Sequence, residues 1–267
     1  MHLLPVLACT AALCVASAAA AQTAVPLTRP EAEFAEPFSN IASVRELPDG
    51  RVLVADTRDR MLLAVDLAKG IGTPISREGS GPAEYGLPMS LWPMPRDTTY
   101  LFDPLNTRFL QIAPSGKATG TWSMVVDDGA AASGPGRMGL MAVQGVDGRG
   151  RFYAASPGIV RGPDGPRAAD STALTRYDRM SKATDTVAWV GLPKNNVQIS
   201  GGRGNASVRI GAGNPFAPQD AWAVFPDGRV AVVRADAYHV DFYLPDGRHV
   251  RGPALRDNKV KVSEGHK

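Results

Sequence analysis

Cysteine is nearly absent: the 267-residue chain holds only Cys9 and Cys14, both close to its N-terminus. Histidine is scarce, with His2, His239, His249 and His266. No charge sign dominates, since Lys+Arg 29 stand against Asp+Glu 26. A net charge of +3 spread along the chain gives no electrostatic footprint for nucleic acid or an anionic membrane surface. Common catalytic signatures are missing too: there is no Walker A loop, H-E-x-x-H, G-x-S-x-G or EF-hand loop. What the chain does have is Gly 28 and Pro 22, with 44% hydrophobic residues. That composition excludes a helical bundle and disorder, and describes a turn-rich protein with a sizeable core.

From Leu3 to Ala21 the chain is apolar and uncharged, and it ends in Ala19-Ala20-Ala21 before Gln22. This pattern predicts a cleavable export leader over residues 1–21, followed by an N-terminal extension over 22–37 and one domain over 38–267. A membrane anchor and a lipoprotein acylated at Cys9 are the competing readings of the same stretch. With the leader removed no thiol remains, which excludes disulfides, zinc-thiolate sites and cysteine nucleophiles. The expected location is periplasmic or extracellular, with no membrane span after cleavage.

A repeat emerges when turns are aligned with the apolar runs that follow them. Asp49-Gly50 leads into Val52-Leu53-Val54-Ala55, Asp97-Thr98 into Tyr100-Leu101-Phe102, Asp147-Gly148 into Phe152-Tyr153-Ala154, and Asp227-Gly228 into Val230-Ala231-Val232-Val233. Asp-Gly supplies the positive φ of a tight turn. Before each turn lies an apolar or mixed strand, namely Ile41 to Leu47, Met89 to Met94, Leu140 to Val146 and Ala221 to Phe225. After each comes a third strand, Met61 to Val65, Phe109 to Ala113, Ala173 to Tyr177 and Val240 to Leu244, with edge strands such as Thr119 to Ser123 and Thr186 to Val190. The central strands are apolar at successive positions, so both of their faces must be covered. Radial stacking of small sheets provides that cover. The predicted fold is therefore all-β, a β-propeller of four-stranded antiparallel blades.

These residues resemble the six-bladed β-propellers of the NHL and TolB-like kind found in exported bacterial proteins. The resemblance rests on Asp49 to Thr57, on Gly79-Ser80-Gly81-Pro82-Ala83-Glu84-Tyr85 leading to Leu87-Pro88, and on Asp103-Pro104-Leu105-Asn106-Thr107-Arg108. It implies six blades, yet four repeat units are visible. The turn aspartates are about 48 and 50 residues apart, and then about 80. Arg161 to Ala169 and Ile199 to Pro218, inside the long step, read as Gly- and Pro-rich loops. The alternatives are a C-terminally truncated chain, a compact variant and a ring closed by association.

Gly134-Pro135-Gly136-Arg137-Met138-Gly139 matches G-x-G-x-x-G without the flanking strand and helix of a dinucleotide site. His239, beside Tyr238 on an inferred strand, reads as structural, and His249 as part of a surface turn. Trp92, Trp122, Trp189 and Trp222 fall roughly one per unit and suit packing between blades. The candidate binding residues are Arg77, Glu84 and Tyr85, in a connection expected at the channel mouth, and Arg203 in a second Gly-rich loop. The expected function is an exported binding module for a small molecule, a glycan or a protein partner, with no catalytic residue and no cofactor. The resemblance to propeller lactonases and lyases implies an alternative, a hydrolase with an axial calcium ion held by Asp103, Asn106 and Asp220.

Overall fold

The computed structural model describes residues 29–123, 143–155, 159–162, 165–192, 197–200, 207–210 and 217–256, with the backbone alone for 159–162, 165–168, 197–200 and 207–210. The expected leader, the 134–139 glycine motif and Arg203 lie outside these residues.

Four antiparallel four-stranded sheets follow one another as the blades of a β-propeller. Blade 1 contains β1 (Ile41–Glu46), β2 (Val52–Asp56), β3 (Met61–Asp66) and β4 (Ile71–Pro74). Blade 2 contains β5 (Leu91–Pro93), β6 (Thr99–Asp103), β7 (Arg108–Ile112) and β8 (Ala118–Ser123). Blade 3 opens with β9 (Val143–Val146) and β10 (Phe152–Ala155). A hairpin of β11 (Ile159–Gly162) and β12 (Gly165–Ala168) intervenes before β13 (Ser171–Asp178) and β14 (Ala183–Gly191) complete it. A second hairpin, β15 (Val197–Ser200) with β16 (Ser207–Ile210), precedes blade 4, which contains β17 (Ala221–Val224), β18 (Val230–Arg234), β19 (His239–Tyr243) and β20 (His249–Arg251). The strands that begin successive blades lie side by side, β1 by β5, β5 by β9 and β9 by β17. Among the described residues there are four blades, and no helix is long and apolar enough to cross a membrane.

Both faces of the central strands are covered, as their sequence requires. Leu53 and Ala55 of β2 join Leu62, Leu101, Leu110 and Ile112 between blades 1 and 2. Val54, Leu63 and Val65 on the opposite face of blade 1 are capped by Phe34 and Phe38. Between blades 2 and 3 sits an aromatic cluster of Tyr100, Phe109, Phe152 and Tyr177, with Trp92 and Trp122 against it. Between blades 3 and 4, Tyr153, Leu174 and Val190 meet Val230 and Val232, with Trp222 alongside. Trp189 departs from the expected packing role, being 60% exposed.

The turns repeat one chemistry. Asp49, Asp227 and Asp246 each accept the backbone N–H and the Nε–H of the arginine two residues on, while Gly50, Gly228 and Gly247 take φ of 82°, 87° and 85°. L-residues avoid that region, which is why glycine sits there. Two local readings need correction. In blade 3 the left-handed glycine is Gly150 (φ 77°), not Gly148, so the true repeat is shifted by two residues and Asp147 occupies the place of Leu47 and Phe225. The stretches read as loops at 161–169 and 199–218 contain strands β12 and β16 and the end of β11 and β15, because main-chain ladders close there despite the Gly and Pro content.

Candidate functional site

The 77–85 connection is held closed by its own contacts. Arg77 Nε donates to Glu84 Oε1 at 2.6 Å, and Glu84 Oε2 accepts the Gly81 N–H at 2.8 Å. A Cβ on Gly79 would lie 2.1 Å from that same Oε2, so the carboxylate fills the space glycine leaves. Tyr85 is 3% exposed, and its hydroxyl accepts the Leu62 N–H at 3.1 Å. Arg108 donates to the carbonyls of Ser80, Gly81 and Glu84 at 2.8–3.0 Å. Asn106 bridges the Gly79 carbonyl (2.9 Å) and Asp103 Oδ2 (2.7 Å).

Asp103 and Asn106 therefore meet, and the fold explains why. Asp103 ends β6, is fully buried, and accepts the N–H groups of Gly86 and Leu87 on the segment entering blade 2. Asp56 ends β2 in the same way and holds the Ser39 and Asn40 N–H groups on the segment entering blade 1. A buried carboxylate at the end of the second strand is thus a fastener that satisfies amides the ladder leaves unpaired. Asp220 belongs to a different blade. Among the described residues, no group of three or more His, Cys, Asp or Glu is arranged to hold a metal ion.

Blade 4 breaks this pattern. The cross-strand pair Asp56 with Met61 in blade 1, and Asp103 with Arg108 in blade 2, becomes Arg234 with His239. Two residues further in, Val54 with Leu63 and Leu101 with Leu110 become Val232 with Asp241. An aliphatic position has become a buried carboxylate, and the fastening carboxylate has become a guanidinium. The fastening role passes to Asp220 on the segment entering blade 4, which accepts the N–H groups of Gly191 (2.8 Å) and Ala235 (3.1 Å).

Arg234 organises the cluster. Its Nε donates to Asp241 Oδ2 at 2.7 Å, Nη1 to Asp220 Oδ2 at 2.8 Å and to the Trp189 carbonyl at 2.7 Å, and Nη2 to the Tyr243 hydroxyl at 2.7 Å. Burial alone disfavours its charge, but the bonds to Asp241 and Asp220 raise its pKa above the ordinary arginine value. Burial likewise opposes ionisation of Asp241, and the hydrogen bonds from Arg234 and His249 outweigh it, holding the carboxyl below the usual range. Asp220 is held below that range too, where burial is outweighed by the Gly191 N–H, Arg234 and the Ala235 N–H. His239 and His249 both approach Asp241 Oδ1, with Nε2 at 3.3 and 3.1 Å, and the His249 ring stacks on Tyr243 at 4.8 Å.

This cluster lines a cavity of about 880 Å³ between blades 3 and 4. Ser171, Gly191 and Leu192 come from the blade 3 side, while Arg234, Asp241 and Arg251 come from blade 4. Of the candidate site residues, Asp220 lines it and Arg77, Glu84, Tyr85, Asp103 and Asn106 do not; Trp189, His239 and His249, read in the sequence as packing, structural and surface-turn residues, line it as well. Arg234 and Asp241 went unsuspected, and His249, read as part of a surface turn, begins β20. The signal was present as a departure of blade 4 from blades 1 and 2 at matching strand positions.

The fold and the site together define a β-propeller with a cavity between two adjacent blades, whose largely apolar lining holds a cluster of charged side chains. The sequence matches no protein-family model and no curated protein. Among solved structures the chain is similar to a Bacteroides fragilis protein classed as exported, at 12% identity over 81% of this chain and 72% of that one, with a TM-score of 0.42. It is also similar to virginiamycin B lyase from Staphylococcus aureus (12%, 79% and 69%, 0.32). A third is an auxiliary nutrient binding protein from Bacteroides ovatus (14%, 81% and 47%, 0.36). These likenesses are too distant to carry a residue role or an activity to this chain.

Proposed function

We propose that this chain is an exported binding propeller whose ligand is a small molecule held in the cavity between blades 3 and 4. In this reading residues 1–21 are the export leader, residues 22–37 an extension, residues 38–267 the propeller, and the compartment is periplasmic or extracellular. The supporting observation is the cavity itself. Its volume of about 880 Å³ suits a small molecule better than a glycan chain or a protein surface. Its polar groups are arranged by the Arg234–Asp241–Asp220 network, which in blade 4 stands where blades 1 and 2 have a fastening carboxylate and an aliphatic pair, and such a departure costs stability.

The rival reading is a hydrolase with an axial calcium ion. It draws on Asp103, Asn106 and Asp220, whose side-chain oxygens or amide already serve backbone groups or one another. An ion there would have to displace those bonds.

The test is a thermal-unfolding screen of the full chain against a collection of small metabolites, with calcium and EDTA included. Ala237→Trp, which fills the cavity from an exposed turn, serves as the control. A ligand at a hundredfold excess over its Kd stabilises by about 2.7 kcal/mol. The expected result is a metabolite that raises the wild-type midpoint by several degrees and leaves Ala237→Trp unmoved. A calcium-dependent rise with no metabolite effect would favour the rival reading.

A further inference from the structure

The charged side chains that line the cavity divide into those already committed and those still free. Arg234 directs its three nitrogens at Asp220, Asp241, the Tyr243 hydroxyl and the Trp189 carbonyl. Asp220 also serves the N–H groups of Gly191 and Ala235, and Asp241 lies under the His239 and His249 imidazoles at 3.3 and 3.1 Å. None of these carboxylates faces a ligand with an open bond. Two charged groups of the lining remain: Asp236, in the turn that joins β18 to β19, and Arg251, which ends β20. Both are solvent-exposed, and neither has a hydrogen bond or ion pair among the described residues.

Their surroundings give the two groups opposite parts. Arg234 brings one positive charge to the Asp220 and Asp241 carboxylates, both held below the usual range, so the network keeps an uncompensated negative charge. Hydrogen bonds occupy its oxygens without removing that charge. Asp236 follows Ala235, whose N–H binds Asp220, and so adds a second negative charge at the turn end of the cavity. Arg251 stands across from Asp241 on the outer strand and is the guanidinium of the lining that lies outside the network. A ligand with a carboxylate alone would meet Asp236 as a like charge, and one with an ammonium alone would meet Arg251 so. A ligand that carries both matches both.

Building on the small-molecule reading, we infer that the ligand is a small zwitterion of the amino-acid class. Its carboxylate pairs with the Arg251 guanidinium, its ammonium pairs with the Asp236 carboxylate, and its apolar part lies against Leu192, Ala217 and Pro218. The planar guanidinium suits a carboxylate because it offers two parallel N–H donors. Each exposed pair contributes little by itself, so selectivity comes from the two acting on one molecule.

The test measures dissociation constants on the full chain by saturation-transfer NMR for four probes. L-leucine and 6-aminohexanoate carry both charges, at short and long spacing; 4-methylpentanoate is leucine without its ammonium, and 3-methylbutylamine is leucine without its carboxylate. At least one zwitterion is expected to bind about fivefold or more tightly than either singly charged compound. Arg251→Ala should weaken it to the level of the amine, and Asp236→Asn to that of the carboxylate. Both side chains are exposed and unpaired, so neither substitution disturbs the fold. Failure of both zwitterions to reach that margin, zwitterion binding untouched by either substitution, or no binding by any probe overturns the assignment. If the metabolite screen still finds a ligand that Ala237→Trp excludes, the small-molecule reading survives that failure. If neither experiment finds anything in the cavity, both fall.

Discussion

Asp56 shows how much one side chain can organise. Its buried carboxylate accepts four backbone N–H groups, from Ser39, Asn40, Arg58 and Asp59, and so fixes both the entry into β1 and the turn after β2. Burial raises its pKa, and the four donors together outweigh burial and bring it below the ordinary value. A depressed folded-state pKa means stability that is present above the unfolded value of about 4 and lost as pH falls through the folded one. Asp56→Asn removes that contribution. The variant should unfold at a lower temperature than wild type near neutrality, with a loss of about 1–3 kcal/mol. The gap should narrow as pH falls below about 4. Midpoints measured from pH 7 to 3 check this; a gap that stays constant across the range would contradict it.

At the scale of the element, a blade is set by a tight turn, an apolar central strand and a close neighbour. Gly145 of β9 illustrates the last of these. A Cβ there would lie 2.8 Å from Val224 Cγ2 of β17, so this glycine allows blades 3 and 4 to approach. Gly145→Ala should cost about 1–3 kcal/mol by overpacking. Hydrogen exchange should rise in β9 and β17 and stay unchanged in blade 1; a uniform rise would place the defect elsewhere. Most strands were legible because their signals are local. Apolar runs after Asp-Gly turns gave β2, β10 and β18 and their neighbours within a residue or two. Asp147-Gly148-Arg149-Gly150 misled because two glycines compete for one left-handed position, and the choice depends on the Asp147 N–H to Arg151 carbonyl bond of the finished turn. The hairpins β11–β12 and β15–β16 were hidden because Gly and Pro content reports side-chain propensity, whereas a ladder is made by the backbone. The candidate site was the least legible part. Asp220, Arg234, Asp241 and His249 converge only through strand register; Asp220 stood out as a candidate ligand and His249 only as a surface-turn residue. Comparing each blade with its siblings by strand position, not by turn motif, exposes the replacement of Leu63 and Leu110 by Asp241.

For the whole molecule, the central point is that repetition builds the scaffold and one departure from it builds the site. Blades 1 and 2 place fastening carboxylates where they serve the backbone, and blade 4 turns the same positions toward a cavity. The Gly- and Pro-rich connection at 77–85, which looked functional in the sequence, uses its charged and polar groups on itself and on Arg60, Leu62, Asn106 and Arg108. A crystallographic fragment screen of the full chain separates these two places most directly. Fragments should accumulate in the cavity between blades 3 and 4, with their polar atoms near Asp236 and Arg251. Fragments gathering at the 77–85 connection with the cavity empty would contradict the assignment.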